Sequence, residues 1–118
     1  MKQATIEISY PGSVISCNHY KYKGGIYTKK EAKAWMVELG WTVKQLDLNE
    51  WRLPLHVTCS GRFKDKRSTP DLSNLAKVTL DAIAEVCDVN DKHMRWHDGT
   101  VEYGEPALLW LEIKEGGI

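Results

Sequence analysis

The sequence predicts an α+β fold, a single domain over residues 1–118 with one mixed or mainly antiparallel sheet carrying two main helices. Three observations predict it. Apolar and polar residues alternate in Thr5-Ile6-Glu7-Ile8-Ser9-Tyr10 and again from Leu55 to Ser60, the period of a half-buried strand. Apolar residues recur every three or four positions over 29–45 and 70–86, the period of an amphipathic helix. A third apolar run, Ala107-Leu108-Leu109-Trp110-Leu111-Glu112-Ile113, closes the chain and reads as a strand internal to a sheet. The order is strand, helix, strand, helix, strand, and 118 residues suit one core.

Taken in order, the first strand ends at Pro11-Gly12-Ser13, and residues 14–25 form a loop rich in polar and aromatic groups. Gly24-Gly25 marks a turn before the extended Ile26-Tyr27. Thr28 and Glu31 have the spacing of a capping box, which starts the first helix. Its apolar stripe is Ala32, Trp35, Met36, Leu39 and Val43, and Gly40 interrupts it. Lys29, Lys30 and Lys33 fall off that stripe, either as a solvated face or as phosphate contacts. Residues 47–50 link to a long strand over 53–63, and Pro54 demotes only its beginning.

The second helix has the best-marked start. Thr69 is a suitable N-cap, and Pro70 fits the first helical position, where its missing N–H costs nothing. Asp71 then lies near the positive end of the helix dipole. Leu72, Leu75, Thr79, Ala82 and Val86 make the buried stripe, widened by Val78 and Ile83, while Ser73, Asn74, Lys77 and Asp81 share a polar side. Beyond the helix, residues 87–92 read as a loop, and 93–97 and 100–103 as extended pieces around a turn at Asp98-Gly99.

Five tryptophans and five tyrosines against one phenylalanine favour aromatics that serve core and contact surface alike. No apolar run is long enough to span a bilayer, and Met1-Lys2-Gln3 does not open a signal peptide. Cys17, Cys59 and Cys87, odd in number and widely spaced, argue against a disulfide framework and for a reducing, cytoplasmic setting. Net charge is zero, but residues 1–67 hold 12 basic and 6 acidic groups, and residues 68–118 hold 4 and 10. A basic half joined to an acidic half is consistent with a cationic surface for nucleic acid beside a carboxylate metal site. Arg62-Phe63-Lys64-Asp65-Lys66-Arg67, basic groups around an aromatic, abuts the second helix and suits a nucleic-acid backbone.

Pro70-Asp71-Leu72-Ser73-Asn74-Leu75-Ala76-Lys77, then Leu80-Asp81-Ala82-Ile83, then Val89-Asn90-Asp91-Lys92-His93, resembles the core of the RusA-like Holliday junction resolvases. That family carries Asp-x-Asp-Asn-Leu-x-Lys, a Leu-Asp-Ala-Leu step and an Asp-Asp pair soon after the helix. The amino-terminal half is similar too: Pro11-Gly12-Ser13, Asn18-His19-Tyr20 and Gly24-Gly25-Ile26-Tyr27-Thr28 follow the family's order. The resemblance implies a Mg²⁺-dependent endodeoxyribonuclease, Mn²⁺ being the alternative ion. It implies a symmetric homodimer acting on branched DNA, above all the four-way junction of recombination and repair. It implies Asp71 and Asp91 as catalytic metal ligands, with Ser73 at a third ligand position. Lys77 would be the amine near the scissile phosphate and Asn74 a helper of the motif. Arg62, Lys64, Lys66 and Arg67 are the candidate DNA contacts, joined by Asn18 and Tyr20 from the amino-terminal motif.

Ser73 departs from the family, which has a second Asp there, so one negative charge is lost. Asn90 likewise stands where the family often has an acid. Mg²⁺ is often held by one or two protein carboxylates plus waters and substrate, so the chain reads either as an active nuclease or as a branched-DNA-binding relative with weakened or no catalysis. Asp65 is a candidate to compensate. A separate grouping, Cys87, His93 and His97, has zinc-like ligand types but no compact zinc spacing and no fourth ligand. Its plainer reading is a buried thiol and two partly exposed histidines.

Overall fold

The computed structural model describes residues 1–17, 19–22 and 27–117. Its four strands, β1 (Gln3–Ser9), β2 (Leu55–Phe63), β3 (Met94–Tyr103) and β4 (Leu108–Lys114), form one mixed sheet in the order β1-β4-β2-β3. β4 is antiparallel to both β1 and β2, while β2 and β3 run parallel. Helices α1 (Lys30–Lys44) and α2 (Ala76–Cys87) pack against each other, and α2 is the crossover that joins the parallel pair. The expected mixed α+β domain with two helices is what forms.

Alternation positions the core. Leu55, Val57, Cys59 and Phe63 of β2, Leu109, Leu111 and Ile113 of β4, and Ile6 and Ile8 of β1 are buried on the helix side. His56, Thr58, Ser60 and Arg62 are half-buried on the opposite, open face. β4 pairs on both sides, as its apolar run predicts, although Trp110 and Glu112 remain half-exposed. The stripe read for the first helix is buried as expected, and Trp35 fixes the helix to the sheet by donating its Nε1–H to the Ser9 carbonyl at 2.9 Å. None of the helices among the described residues is long and apolar enough to cross a membrane.

Several local expectations are corrected. The Thr28/Glu31 capping box does not form: Lys29 is the N-cap of α1, with no side-chain cap bond, and Thr28 instead bridges Lys21. Thr69 does not cap the second helix, because its hydroxyl donates backwards to the Asp65 carbonyl at 2.8 Å. Asp71, extended at φ −72° and ψ 117°, takes the capping position, and a 3₁₀ turn, Leu72–Leu75, precedes α2. Asp98-Gly99 is not a turn. The dipeptide signals a hairpin only where the chain folds back, and here β3 runs on parallel to β2 through a bulge opposite Cys59 to Gly61. Gly99 is required at that bulge: a Cβ there would collide with the Ser60 hydroxyl and sit 2.9 Å from the Cys59 carbonyl oxygen.

Gly40 is where α1 and α2 come closest. A Cβ on it would lie 2.9 Å from Cγ1 of Val86. The helix-propensity penalty of an interior glycine is therefore accepted for close approach. Gly40→Leu is expected to destabilise the fold by about 1–3 kcal/mol through overpacking, read as a lower urea midpoint with an unchanged slope.

Candidate active site

The site starts where β2 ends. Lys64, Lys66 and Arg67 are exposed on the connection that leads to Asp71. Asp65 is tied into that connection: the Ser68 N–H donates to its Oδ1 at 2.9 Å, and these Ser68 hydrogen bonds hold its carboxyl below the usual range. Arg62 does not join them. It lies on the open sheet face, its Nε–H donating to the Pro106 carbonyl at 2.9 Å and its guanidinium 5.7 Å from the Trp110 ring centre. The basic run thus divides, because alternation along β2 turns Arg62 to the far side.

Asp71 is exposed, and the Ser73 hydroxyl donates to its Oδ1 at 3.3 Å. The Asp71 carbonyl accepts the Asn74 N–H at 2.9 Å, which closes the turn. Asn74 works as a clamp: its carbonyl accepts the Cys17 N–H at 2.7 Å, and its side-chain oxygen faces the Cys17 thiol at 3.7 Å. This stitches the amino-terminal loop to the start of the helix.

One turn further on, Lys77 pairs with Asp81 at 3.6 Å across an i,i+4 step. The other Asp81 oxygen accepts the Tyr20 hydroxyl at 3.0 Å. Tyr20 is 2% exposed, so it is a buried support for Asp81 rather than an open DNA contact. Burial first, and the Asp81 hydrogen bond second, push its phenol up to about 12. Asp81 is the residue sequence reasoning passed over as a site member, although its four-residue spacing from Lys77 was the available signal. Asn18 lies outside the described residues.

Asp91 is exposed on the 3₁₀ turn Asp91–His93, beyond the far end of α2. The preceding Asn90 side chain accepts the Lys92 N–H at 3.0 Å and so caps that turn. The structure does not bring Asp91 to Asp71 within one chain. β2 and β3 are parallel, so the residues after β2 and those before β3 lie at opposite ends of the sheet. The helix between them spans about 18 Å, at roughly 1.5 Å per residue. Among the described residues, no three His, Cys, Asp or Glu side chains converge as a metal cage. The zinc-like trio is dispersed: the Cys87 thiol points to the Val43 carbonyl at 3.9 Å, His97 stacks on His56 with Nε2 and Nδ1 2.9 Å apart, and His93 sits in the 3₁₀ turn.

The site therefore offers one carboxylate and one hydroxyl as hard oxygen donors, an ion-paired amine one helical turn away, and a fringe of exposed cations. The family model described as endodeoxyribonuclease RusA matches residues 14–109. No curated protein matches the chain by sequence. A solved structure of 2C-methyl-D-erythritol-2,4-cyclodiphosphate synthase is similar over 69% of this chain and 55% of that protein, at 12% identity and a TM-score of 0.33, a likeness too low to carry any argument.

A tyrosine whose folded pKa is raised stabilises the fold below its unfolded value and loses that contribution as pH rises. Unfolding free energy is expected to drop between pH 10 and about 12. In Tyr20→Phe the stability lost at neutral pH is about 1–2 kcal/mol, and its alkaline drop is smaller. Urea unfolding of both proteins at pH 9 and pH 11 checks this.

Proposed function

Since the chain belongs to the RusA endodeoxyribonuclease family, we propose that it is a divalent-metal-dependent endonuclease of branched DNA, acting on four-way junctions as a symmetric homodimer in the cytoplasm. The observation that carries the reading is the exposed Asp71–Ser73 pair one turn from Lys77, beside the exposed Lys64, Lys66 and Arg67.

Asp71 and Ser73 are oxygen donors of the kind Mg²⁺ or Mn²⁺ prefers, and Mg²⁺ is commonly held by few protein carboxylates plus waters and phosphate. A bound ion would polarise the phosphate and acidify an attacking water. Asp71 would hold that ion at the helix start, and the Ser73 hydroxyl would complete the near side of its shell. Lys77 is free to swing from Asp81 to the phosphate, where its charge stabilises the negative charge that builds up in the transition state. Asp81, held by Tyr20, keeps Lys77 poised without competing as a metal ligand. Asn74 positions the amino-terminal loop over the site. Lys64, Lys66 and Arg67 grip phosphates of the arm being cut.

Asp91 fits this scheme only from a second copy, since its own chain holds it at the other end of the sheet. That supports the homodimer. A second reading, branched-DNA binding with little or no cleavage, is favoured by Ser73, which leaves the site one negative charge short of the family pattern.

A labelled four-way junction with Mg²⁺ or Mn²⁺ distinguishes the two. Paired symmetric nicks are expected, reduced by about 100-fold or more in Asp71→Asn and by about 100-fold in Lys77→Ala, with binding retained in both. Binding without cleavage in either metal, and cleavage gained by Ser73→Asp, would establish the second reading. Replacing Lys64, Lys66 and Arg67 together by Ala is expected to weaken junction binding. It also flattens the salt dependence by about 0.9 for each phosphate no longer neutralised, measured by titration at several salt concentrations.

A further inference from the structure

One flank of α1 combines exposed apolar groups with cations that the helix itself does not need. Lys30, Lys33, Val37, Trp41 and Lys44 follow one another at steps of three or four, so they stack along one side of the helix. Val37 and Trp41 stay exposed there, at 44% and 66%. Glu31 and Glu38, two turns apart, share the other flank. Helix stability does not account for this placing. Lys30 opens the first turn, where the helix dipole disfavours a cation. None of the three lysines has an acidic residue three or four positions away on α1.

Between this flank and α2 lies a cavity of about 220 Å³. Met36, Val37, Gly40 and Trp41 line it from α1, and Ala82 and Val86 line it from α2. Its charged groups stand at the rim. Lys33 pairs with Glu85 at 3.3 Å. The Lys44 ammonium lies over the Trp41 ring, 5.7 Å from its centre. Among the described residues, no carboxylate pairs with Lys30 or Lys44.

We propose that this groove docks a short acidic segment of another protein, with one large apolar side chain seated between α1 and α2 beside Trp41 and a neighbouring carboxylate paired with Lys44. The lining and the rim select that chemistry. The lining is aliphatic with one aromatic face, and the cavity has room for a single large side chain, whose entry removes Val37 and Trp41 from water. A tryptophan beside a small pocket is the arrangement in which few contacts carry most of the binding energy. The rim is positive, because Glu85 compensates only Lys33, so a complementary partner brings negative charge. Duplex DNA would meet the lysines and leave the cavity empty, since its bases are stacked inside and a phosphate does not enter an apolar pocket. None of the lining residues belongs to the candidate active site. The docking therefore does not rest on the nuclease reading, and an occupied groove leaves Asp71 and the cations beside it open.

The test uses a displayed library of random short peptides, selected on the full chain, followed by anisotropy titration of the best binder. The enriched peptides are expected to share one aromatic or large aliphatic residue next to Asp or Glu, and alanine at that residue to abolish binding. Trp41→Ala is expected to weaken binding by at least about tenfold. Lys44→Glu is expected to weaken it by about fivefold, a loss that shrinks in high salt. Circular dichroism checks that both variants fold. The same peptide with Lys in place of its acids is expected to bind Lys44→Glu better than wild type, a gain that damaged folding would not produce. No enriched binder, enrichment without acidic residues, or binding indifferent to both substitutions overturns the proposal. Junction DNA affinity that falls with Trp41→Ala and Lys44→Glu as peptide affinity does also overturns it, and makes the flank a DNA contact. Self-association of wild type that Trp41→Ala abolishes overturns it as well, and makes the occupant a second copy.

Discussion

Two neighbouring strands running the same way govern this molecule. Because β2 and β3 are parallel, the chain must cross from the end of one to the start of the other, and α2 makes that crossing. The helix therefore carries its motif residues at one end and delivers Asp91 at the other. Much else follows from this. The helix side is sealed by α1 and α2, the open face stays half-exposed, and the carboxylates that sequence places 20 residues apart are separated in space by the length of the element that connects them.

Much of the fold was legible because period alone decides it. The stripes of both helices and the alternation of β2 are one-dimensional patterns, and tertiary packing preserved them. The direction of β3 was not legible. Asp98-Gly99 has the chemistry of a hairpin turn, and only the pairing with β2, together with the tight contact of Gly99 against Ser60, shows that the chain continues. The caps misled for a related reason. The Thr69 hydroxyl met a nearer partner in its own loop, the Asp65 carbonyl, and the Thr28 backbone is held in a bridge to Lys21 one residue before the N-cap. The candidate site was legible as a motif and not as a geometry. Lys77 and Asp71 belong to one short stretch and stay together, whereas the distance to Asp91 depends on topology, which no local spacing encodes.

The charge arrangement around α2 is economical. Asp71 before the 3₁₀ turn, and Lys77 and Asp81 on α2, each have a different environment: open to solvent beside a hydroxyl, paired but exposed, and held by a buried phenol. Asp71 lies in the extended cap before the 3₁₀ turn and Asp81 within α2, so the two carboxylates sit on different elements. Lys77 stands on the Asp81 side, so its charge is available without neutralising Asp71. The amino-terminal loop contributes by fixing Asp81 through Tyr20 and the helix start through Cys17, which explains why a motif in the first 30 residues belongs with one in the seventies.

The bulge in β3 gives this strand an unusual response to sequence drift. Two residues, Gly99 and Thr100, stand opposite Ser60, so removal of one of them would restore regular alternation and keep Val101 and Tyr103 on the helix side and Glu102 on the open face. Away from the bulge, loss of one residue turns over the side chains between it and the strand end unless the bulge is given up in exchange. Related chains can therefore lose one residue between the position beside Cys59 and the position beside Gly61 and still present the same faces.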